Sequence, residues 1–169
     1  MKTVLLMRHA KSSWKAHDLP DRERPLSKRG LKDAAKMGSL LFDRELVPQI
    51  ILSSSAVRAK MTAETITQKT GFSGKIDYLD DFYLAEPTHY EDALKNLPDD
   101  VERVLLIGHN PGLEGLVQTL SGEVEALPTS AIAYLVVPVK QWSQLNSDTR
   151  GEIIQLWSPS DLKKKSKKL

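Results

Sequence analysis

Val4-Leu5-Leu6-Met7-Arg8-His9-Ala10-Lys11-Ser12-Ser13-Trp14 is the stretch on which the reading of the fold turns. A short apolar run has the character of a buried strand, and it stops at two polar heads, Arg8 and His9. A second run, Val104-Leu105-Leu106-Ile107, ends in the same manner at Gly108-His109-Asn110-Pro111-Gly112. In open α/β sheets, ligands bind beyond the carboxyl ends of the strands. Two strands that each deliver a histidine to such an edge predict one shared site.

Working outward, strands and helices alternate. Residues 10–26 carry charges together with Pro20 and Pro25 but little periodicity, a long loop beside the proposed site. Ser27 is placed to cap a helix with apolar positions Leu31, Ala34, Ala35, Gly38, Leu41 and Phe42, closed by Pro48. Gln49-Ile50-Ile51-Leu52 is a second strand. It runs into Ser53-Ser54-Ser55, which can cap a helix carrying Ala59, Ala63 and Ile66 and stopping at Gly71. Arg58 falls in the first turn of that helix, where the macrodipole disfavours a cation, so it asks for an anionic partner.

Ile76-Asp77-Tyr78-Leu79 is a third strand, and Thr88-His89-Tyr90-Glu91 fits a capping box opening a short helix that ends at Pro98. After the fourth strand, Asn110 as N-cap, Pro111 in the first helical position, an apolar stripe from Leu113 to Leu120 and Gly122 as the stop delimit another helix. Ala131–Val139 and Glu152–Trp157 are two more strands with no helix between them. The alternation predicts an α/β fold, a three-layer α/β/α sandwich. Its sheet is mostly parallel, with helices on both faces and at least one antiparallel strand. One domain over residues 1–162 suffices, with 163–169 a basic, disordered tail.

Composition narrows the function. The chain has no cysteine, which excludes disulfides and thiolate-bound metal centres. The net charge of +2 is a property of the end of the chain, because Lys163, Lys164, Lys165, Lys167 and Lys168 alone outweigh it. A basic body able to grip nucleic acid is therefore not expected. The four histidines lack metal-ligand spacing, and no Gly-rich Lys-Ser/Thr phosphate loop is present. The apolar start is too short for a signal-peptide core or a membrane span, so the expectation is a cytoplasmic protein without a membrane partner.

Three strand ends point at one rim. They bring Arg8 and His9, Arg58 through the serine turn, and His109. Two arginines and two histidines with no carboxylate cluster nearby make an anion site. Arginine's planar fork suits phosphate, to which a helix N-terminus adds N–H donors. A histidine there can donate a hydrogen bond, or it can act as a nucleophile that accepts the phosphoryl group in line while cationic donors hold the equatorial oxygens. Spacing leaves open which histidine does which. Each residue also has a plainer reading: His9 as a strand-end residue, His109 as part of an Asn-Pro cap, Arg58 paired with Glu64, Arg24 as a loop anchor, Trp14 as core, Ser130 as strand packing.

These residues resemble a known family. Leu6-Met7-Arg8-His9-Ala10 is similar to the Arg-His-Gly signature of the histidine phosphatase superfamily, with alanine for glycine. Arg24-Pro25-Leu26-Ser27-Lys28-Arg29-Gly30, Ser53-Ser54-Ser55-Ala56-Val57-Arg58-Ala59 and Gly108-His109-Asn110-Pro111-Gly112 match in order. Thr129-Ser130-Ala131-Ile132-Ala133 and Trp157-Ser158-Pro159 look like the SixA-type branch of small phosphohistidine phosphatases. The resemblance implies that His9 is the nucleophile, that Arg8, Arg58 and His109 form the phosphate clamp, and that neither metal nor cofactor is needed. Ser130 is a further candidate for the phosphate, and Arg24 and Trp14 are candidates for the pocket mouth.

Relatives that hydrolyse phosphate esters often carry an acid on the loop after the third strand. In Phe82-Tyr83-Leu84-Ala85-Glu86-Pro87 the candidate acid Glu86 is shifted by about two positions, and Leu84 occupies the usual place. An alkoxide leaving group gains from a positioned acid, whereas the imidazole of phosphohistidine leaves neutral once its ring is protonated. The expectation is thus a phosphohistidine phosphatase acting as a monomer on a histidine-phosphorylated protein, such as a phosphotransfer-type domain. A small-molecule phosphomonoesterase and a non-catalytic phosphate- or phosphoprotein-binding module are the alternatives.

Overall fold

In the computed structural model, which describes residues 1–15 and 17–162, a six-stranded sheet carries helices on both faces. The basic tail at 163–169 lies outside the described residues. The strands are β1 (Lys2–Arg8), β2 (Ile50–Ser54), β3 (Lys75–Leu79), β4 (Arg103–Gly108), β5 (Ile132–Val137) and β6 (Glu152–Trp157), in spatial order β3-β2-β4-β1-β5-β6. The pairs among β1 to β4 are parallel; β5 is antiparallel to β1 and to β6. This is the expected α/β/α sandwich with its antiparallel flank.

Alternation along β1 explains the layers, because successive side chains of a strand point to opposite faces. Val4 and Leu6 pack with Val104 and Leu106 of β4 and with the buried Tyr90, Leu113, Leu116 and Trp142 on one face. Leu5 and Met7 pack with Met37, Leu41, Ala63 and Ile66 on the other. The helices are α1 (Lys28–Asp43) and α2 (Val57–Thr70) over the second face, and α3 (Pro87–Lys95) and α4 (Gly112–Ser121) over the first. Ser27 caps α1 through the Gly30 N–H, and Gly71 and Gly122 end α2 and α4 in the left-handed conformation, each where the sequence puts a stop.

Several local expectations are displaced. Leu31 and Phe42 are exposed, and the buried stripe of α1 runs instead through Gly30, Ala34, Met37, Gly38, Leu40 and Leu41. The cap of α2 is Ala56, with Ser54 Oγ accepting the Ala56 N–H (3.1 Å) from just outside. The capping box of α3 is two residues earlier than Thr88. Glu86 is the N-cap, Pro87 fills the first position, and the Glu86 N–H donates to His89 Nδ1 (3.1 Å). Proline's fixed φ and missing N–H favour that register. Asn110 does not cap α4. It precedes a cis peptide to Pro111, and its side chain donates to the Leu127 carbonyl (2.8 Å). Strand β5 is shorter than Ala131–Val139, since Ser130 is in the left-handed region (φ 67°) and Pro138 follows its end.

Gly108, the last residue of β4, touches the layer above it. A Cβ there would collide with the hydroxyl of the fully buried Tyr90, which itself receives the His109 N–H (3.1 Å). Gly108→Ala should therefore overpack the site's floor at a cost of about 1–3 kcal/mol. For a domain of this size that lowers the melting temperature by roughly 2–12 °C, measurable by thermal denaturation.

Candidate active site

Strand register brings the two histidines together. Met7 pairs with Ile107 and Arg8 with Gly108, so the next residue on each strand is a histidine at the same level of the sheet edge. The His9 N–H donates to the Gly108 carbonyl (3.1 Å), and the rings lie 5.0 Å apart. Both side chains are buried.

The hydrogen bond of His9 specifies the protonation of its ring. His9 Nδ1 lies 2.7 Å from the Ala10 carbonyl, which can only accept, so Nδ1 carries the proton and Nε2 keeps its lone pair. Burial, then the charges of Arg58, Arg8 and Arg24, push the His9 pKa down to about 4, against the opposing pull of the Ala10 hydrogen bond. His109 Nε2 lies 2.7 Å from Ser54 Oγ, which already accepts the Ala56 N–H. The Ser54 hydroxyl can donate to Nε2 or accept from it, and His109 Nδ1 is buried without a hydrogen-bond partner among the described residues. Burial first, then His9 and Arg58, bring His109 down to about 3, with Asp21 opposing. Both rings are neutral at pH 7.

Around these rings stand three arginines. Arg8 Nη1 donates to the Leu127 carbonyl (3.2 Å), and its Nε is buried without a hydrogen-bond partner among the described residues. Burial lowers its pKa, with the Glu114 carboxylate opposing. Arg58 and Arg24 are buried to more than nine-tenths and converge on one carboxylate, Asp21. The sequence shows no carboxylate cluster beside these cations, and the structure brings a single carboxylate to them from the loop after β1. It also answers the need of Arg58 for an anionic partner: Asp21 fills it, and Glu64 does not take that place.

A cavity of about 340 Å³ opens over the two histidines and is lined by Arg8, Arg24 and Arg58. Its volume is at the small end for a ligand pocket. Trp14 lines the mouth while 69% exposed, so it is not core, and it stacks on the Arg24 guanidinium at 3.3 Å. Arg24 is thus a wall of the cavity as well as an anchor of its loop, donating to Ser12 Oγ (2.5 Å) and to the Ser13 carbonyl (3.3 Å).

Two candidates stand apart from this group. Glu86 is exposed as the N-cap of α3 and is not among the residues lining the cavity over His9; Leu84, held at φ 53°, takes that place on the rim. Ser130 is fully buried beneath the edge, its N–H shared between the Arg8 and His9 carbonyls (3.1 and 3.2 Å), and Thr129 lines the cavity instead. Asp21, Tyr83 and Ser54 escaped sequence reasoning as site residues. Asp21 carries no motif of its own, and only its position three before Arg24 hints at a pair. Among the described residues no group of three or more His, Cys, Asp or Glu could hold a metal ion.

Residues 4–103 match the model of the histidine phosphatase superfamily, branch 1. The chain is 34% identical over 152 residues to an uncharacterized chloroplastic protein of Arabidopsis thaliana, covering 85% of this chain and 70% of that one. It is 31% identical over 168 residues to an uncharacterized protein of Mycobacterium leprae, covering 90% and 99%. Among solved structures it is similar to the protein histidine phosphatase SixA complexed with tungstate (TM-score 0.82, 26% identity, 95% and 99% covered). It is also similar to the putative phosphohistidine phosphatase SixA from Agrobacterium tumefaciens (TM-score 0.80, 30% identity, 94% and 98% covered). The chain belongs to the histidine phosphatase superfamily and is a phosphatase of that class. Within the superfamily its structure closely matches the SixA type.

The depressed histidine values have a testable sign. A histidine whose pKa is lowered stays neutral to a more acidic pH, so the Cε1–H resonances of His9 and His109 should not shift between pH 8 and about 5.5. The His9 signal should begin to move only as the pH approaches about 4. An NMR titration in which either signal moves with a midpoint near 6.5 contradicts the assignment of burial and arginine charge as the cause.

Proposed function

We propose that this protein hydrolyses phosphohistidine on other proteins through a phosphoryl intermediate on His9. The observation that carries the reading is the hydrogen bond from His9 Nδ1 to the Ala10 carbonyl, in a pocket walled by three arginines. It leaves Nε2 as an unprotonated nucleophile at neutral pH.

In the first step Nε2 attacks phosphorus as the bond from phosphorus to the substrate's ring nitrogen breaks. The substrate ring, protonated on its other nitrogen, takes the electron pair and leaves as neutral imidazole. His9 then bears the phosphoryl group on Nε2 and the proton on Nδ1, an imidazolium whose N–H the Ala10 carbonyl holds. In the second step a water oxygen attacks phosphorus, the bond to Nε2 breaks, and neutral His9 and orthophosphate result, the water protons passing to phosphate and solvent. Arg8, Arg24 and Arg58 carry guanidinium donors to the phosphoryl oxygens, and His109, in the neutral tautomer that accepts from Ser54 and is protonated on Nδ1, supplies a further donor.

What favours a P–N substrate is the state of the carboxylates. Glu86 is engaged at the start of α3, and the ionised Asp21, held down to about 2 first by the Tyr83 hydroxyl and then by Arg58 and Arg24, has no proton to give. An alkoxide would leave unassisted, forfeiting a factor of about 10²–10⁴, while a protonated imidazole needs no acid. The exposed Trp14 and Leu84 flank a pocket open at its mouth, which suits a side chain presented by another protein. The resemblance to the two SixA structures points the same way.

The test is turnover in EDTA of a histidine-phosphorylated phosphotransfer domain and of a panel of phosphate monoesters, with wild type and His9→Ala. Wild type should release phosphate faster from phosphohistidine, and His9→Ala should lose at least about 10³-fold of that rate. Preference for the esters would overturn the substrate assignment. A fully active His9→Ala would overturn the nucleophile.

A further inference from the structure

The loop between β1 and α1 is closed at its base and tied down at its far end. At the base, Ser12 bridges to Leu26, the Ser13 N–H donates to the Pro25 carbonyl (2.8 Å), and the Ser27 N–H to the Lys11 carbonyl (2.9 Å). At the far end, a single 3-10 turn spans Asp21–Glu23. Arg22 of this turn bonds outward, to Ser55 Oγ and to the Asp80 carboxylate.

Asp21 bonds inward. Its Oδ1 accepts from Arg24 Nη1 (2.9 Å), and its Oδ2 from Arg58 Nη2 (3.0 Å) and from the Tyr83 hydroxyl (2.6 Å). Its backbone carbonyl accepts from Arg58 Nη1 (2.7 Å). The carboxylate is half-exposed, yet both guanidinium groups it bridges are buried. Two like charges brought to one cavity wall repel unless a counter-charge stands between them, and removing that charge leaves buried cations without compensation.

A guanidinium has five N–H donors. Asp21 takes one from each terminal nitrogen of Arg58, and Asp21, Ser12 and Ser13 together occupy three on Arg24. Both arginines keep N–H groups beyond these bonds, and both line the cavity over His9. Tyr83, which shares Oδ2, also packs edge-on against the His109 ring at 5.7 Å, so the same network reaches the second histidine.

We propose that Asp21 is a positioning residue for phosphate binding: its carboxylate bridges Arg24 and Arg58 and holds their free N–H groups toward the phosphoryl oxygens above His9. The inference rests on the reading of this cavity as a phosphoryl site, but not on which phosphorylated compound enters it. Asp21 acts through the arginines and makes no bond to the reacting group. The opposite role, an internal anion that occupies the arginines and must be displaced by phosphate, predicts the opposite sign.

The experiment measures binding of inorganic phosphate to the full chain by calorimetry, for wild type, Asp21→Asn, Asp21→Glu and Arg22→Ala, with thermal melts of each. Asp21→Asn should raise the phosphate Kd roughly tenfold to hundredfold, the range for loss of a hydrogen-bonded charge. Asp21→Glu, which keeps the charge, should recover most of the affinity. Arg22→Ala, which loosens the same turn without touching Arg24 or Arg58, should stay within about threefold of wild type, as for an exposed ion pair.

Tighter phosphate binding by Asp21→Asn overturns the proposal in favour of the displaced anion. An Arg22→Ala as weak as Asp21→Asn overturns it in favour of simple anchoring of the loop, and failure of Asp21→Glu to recover affinity removes the role of the charge. Absence of phosphate binding in wild type would overturn both this inference and the reading of the cavity as a phosphoryl site. A wild type that binds phosphate in the Asp21-dependent manner but fails to turn over phosphohistidine would leave this inference standing and remove only the substrate assignment.

Discussion

Cationic side chains must stand beside an imidazole that stays unprotonated, and the architecture around the sheet edge follows from that requirement. Recognition of an anion needs positive charge close to the rings, while the proposed nucleophilic role of His9 needs a free lone pair on its imidazole. Burial reconciles the two. Desolvation and the arginine charges both oppose a proton on the ring, and the Ala10 carbonyl, although it favours the charged form, directs the remaining proton to Nδ1. The result is a cationic wall and a neutral imidazole within one small cavity.

Backbone groups steady the residues around the two rings. Arg8 and Asn110 share the Leu127 carbonyl, and the Leu127 N–H in turn donates to the Glu114 carboxylate (2.8 Å), so one turn before β5 steadies residues from both β1 and the loop after β4. Ser130, in its left-handed conformation, closes the edge by donating to the carbonyls of Arg8 and His9. The antiparallel β5 therefore does more than extend the sheet. Its amino-terminal approach lies beside the carboxyl ends of β1 and β4 and supplies the polar groups there.

How legible was this in the chain itself? His9 and His109 could be found because each follows an unbroken apolar strand, and the parallel register of β1 and β4 turns equal strand endings into neighbouring rings. Arg58 announced itself as a cation in a first helical turn. Glu86 was a harder case: its sequence position near the expected acid is real, but Pro87 behind it starts α3 and turns Glu86 into a cap. Asp21 was harder still, with only its spacing to Arg24 to mark it. It lies in an aperiodic loop and meets Arg58 across 37 positions of sequence, so no local pattern records the contact.

Strand and helix order, the two faces of the sheet and the residues at the strand ends were determined by sequence alone. They depend on side-chain periodicity and on glycine and proline punctuation, which act over a few neighbouring residues. Tertiary structure decided which charges meet: that Asp21 bridges Arg24 and Arg58, that Ser54 holds His109, and that Leu84 rather than Glu86 borders the cavity. Those outcomes depend on distances between separate elements, which arise only when loops close over the sheet edge and burial makes each unpaired charge costly.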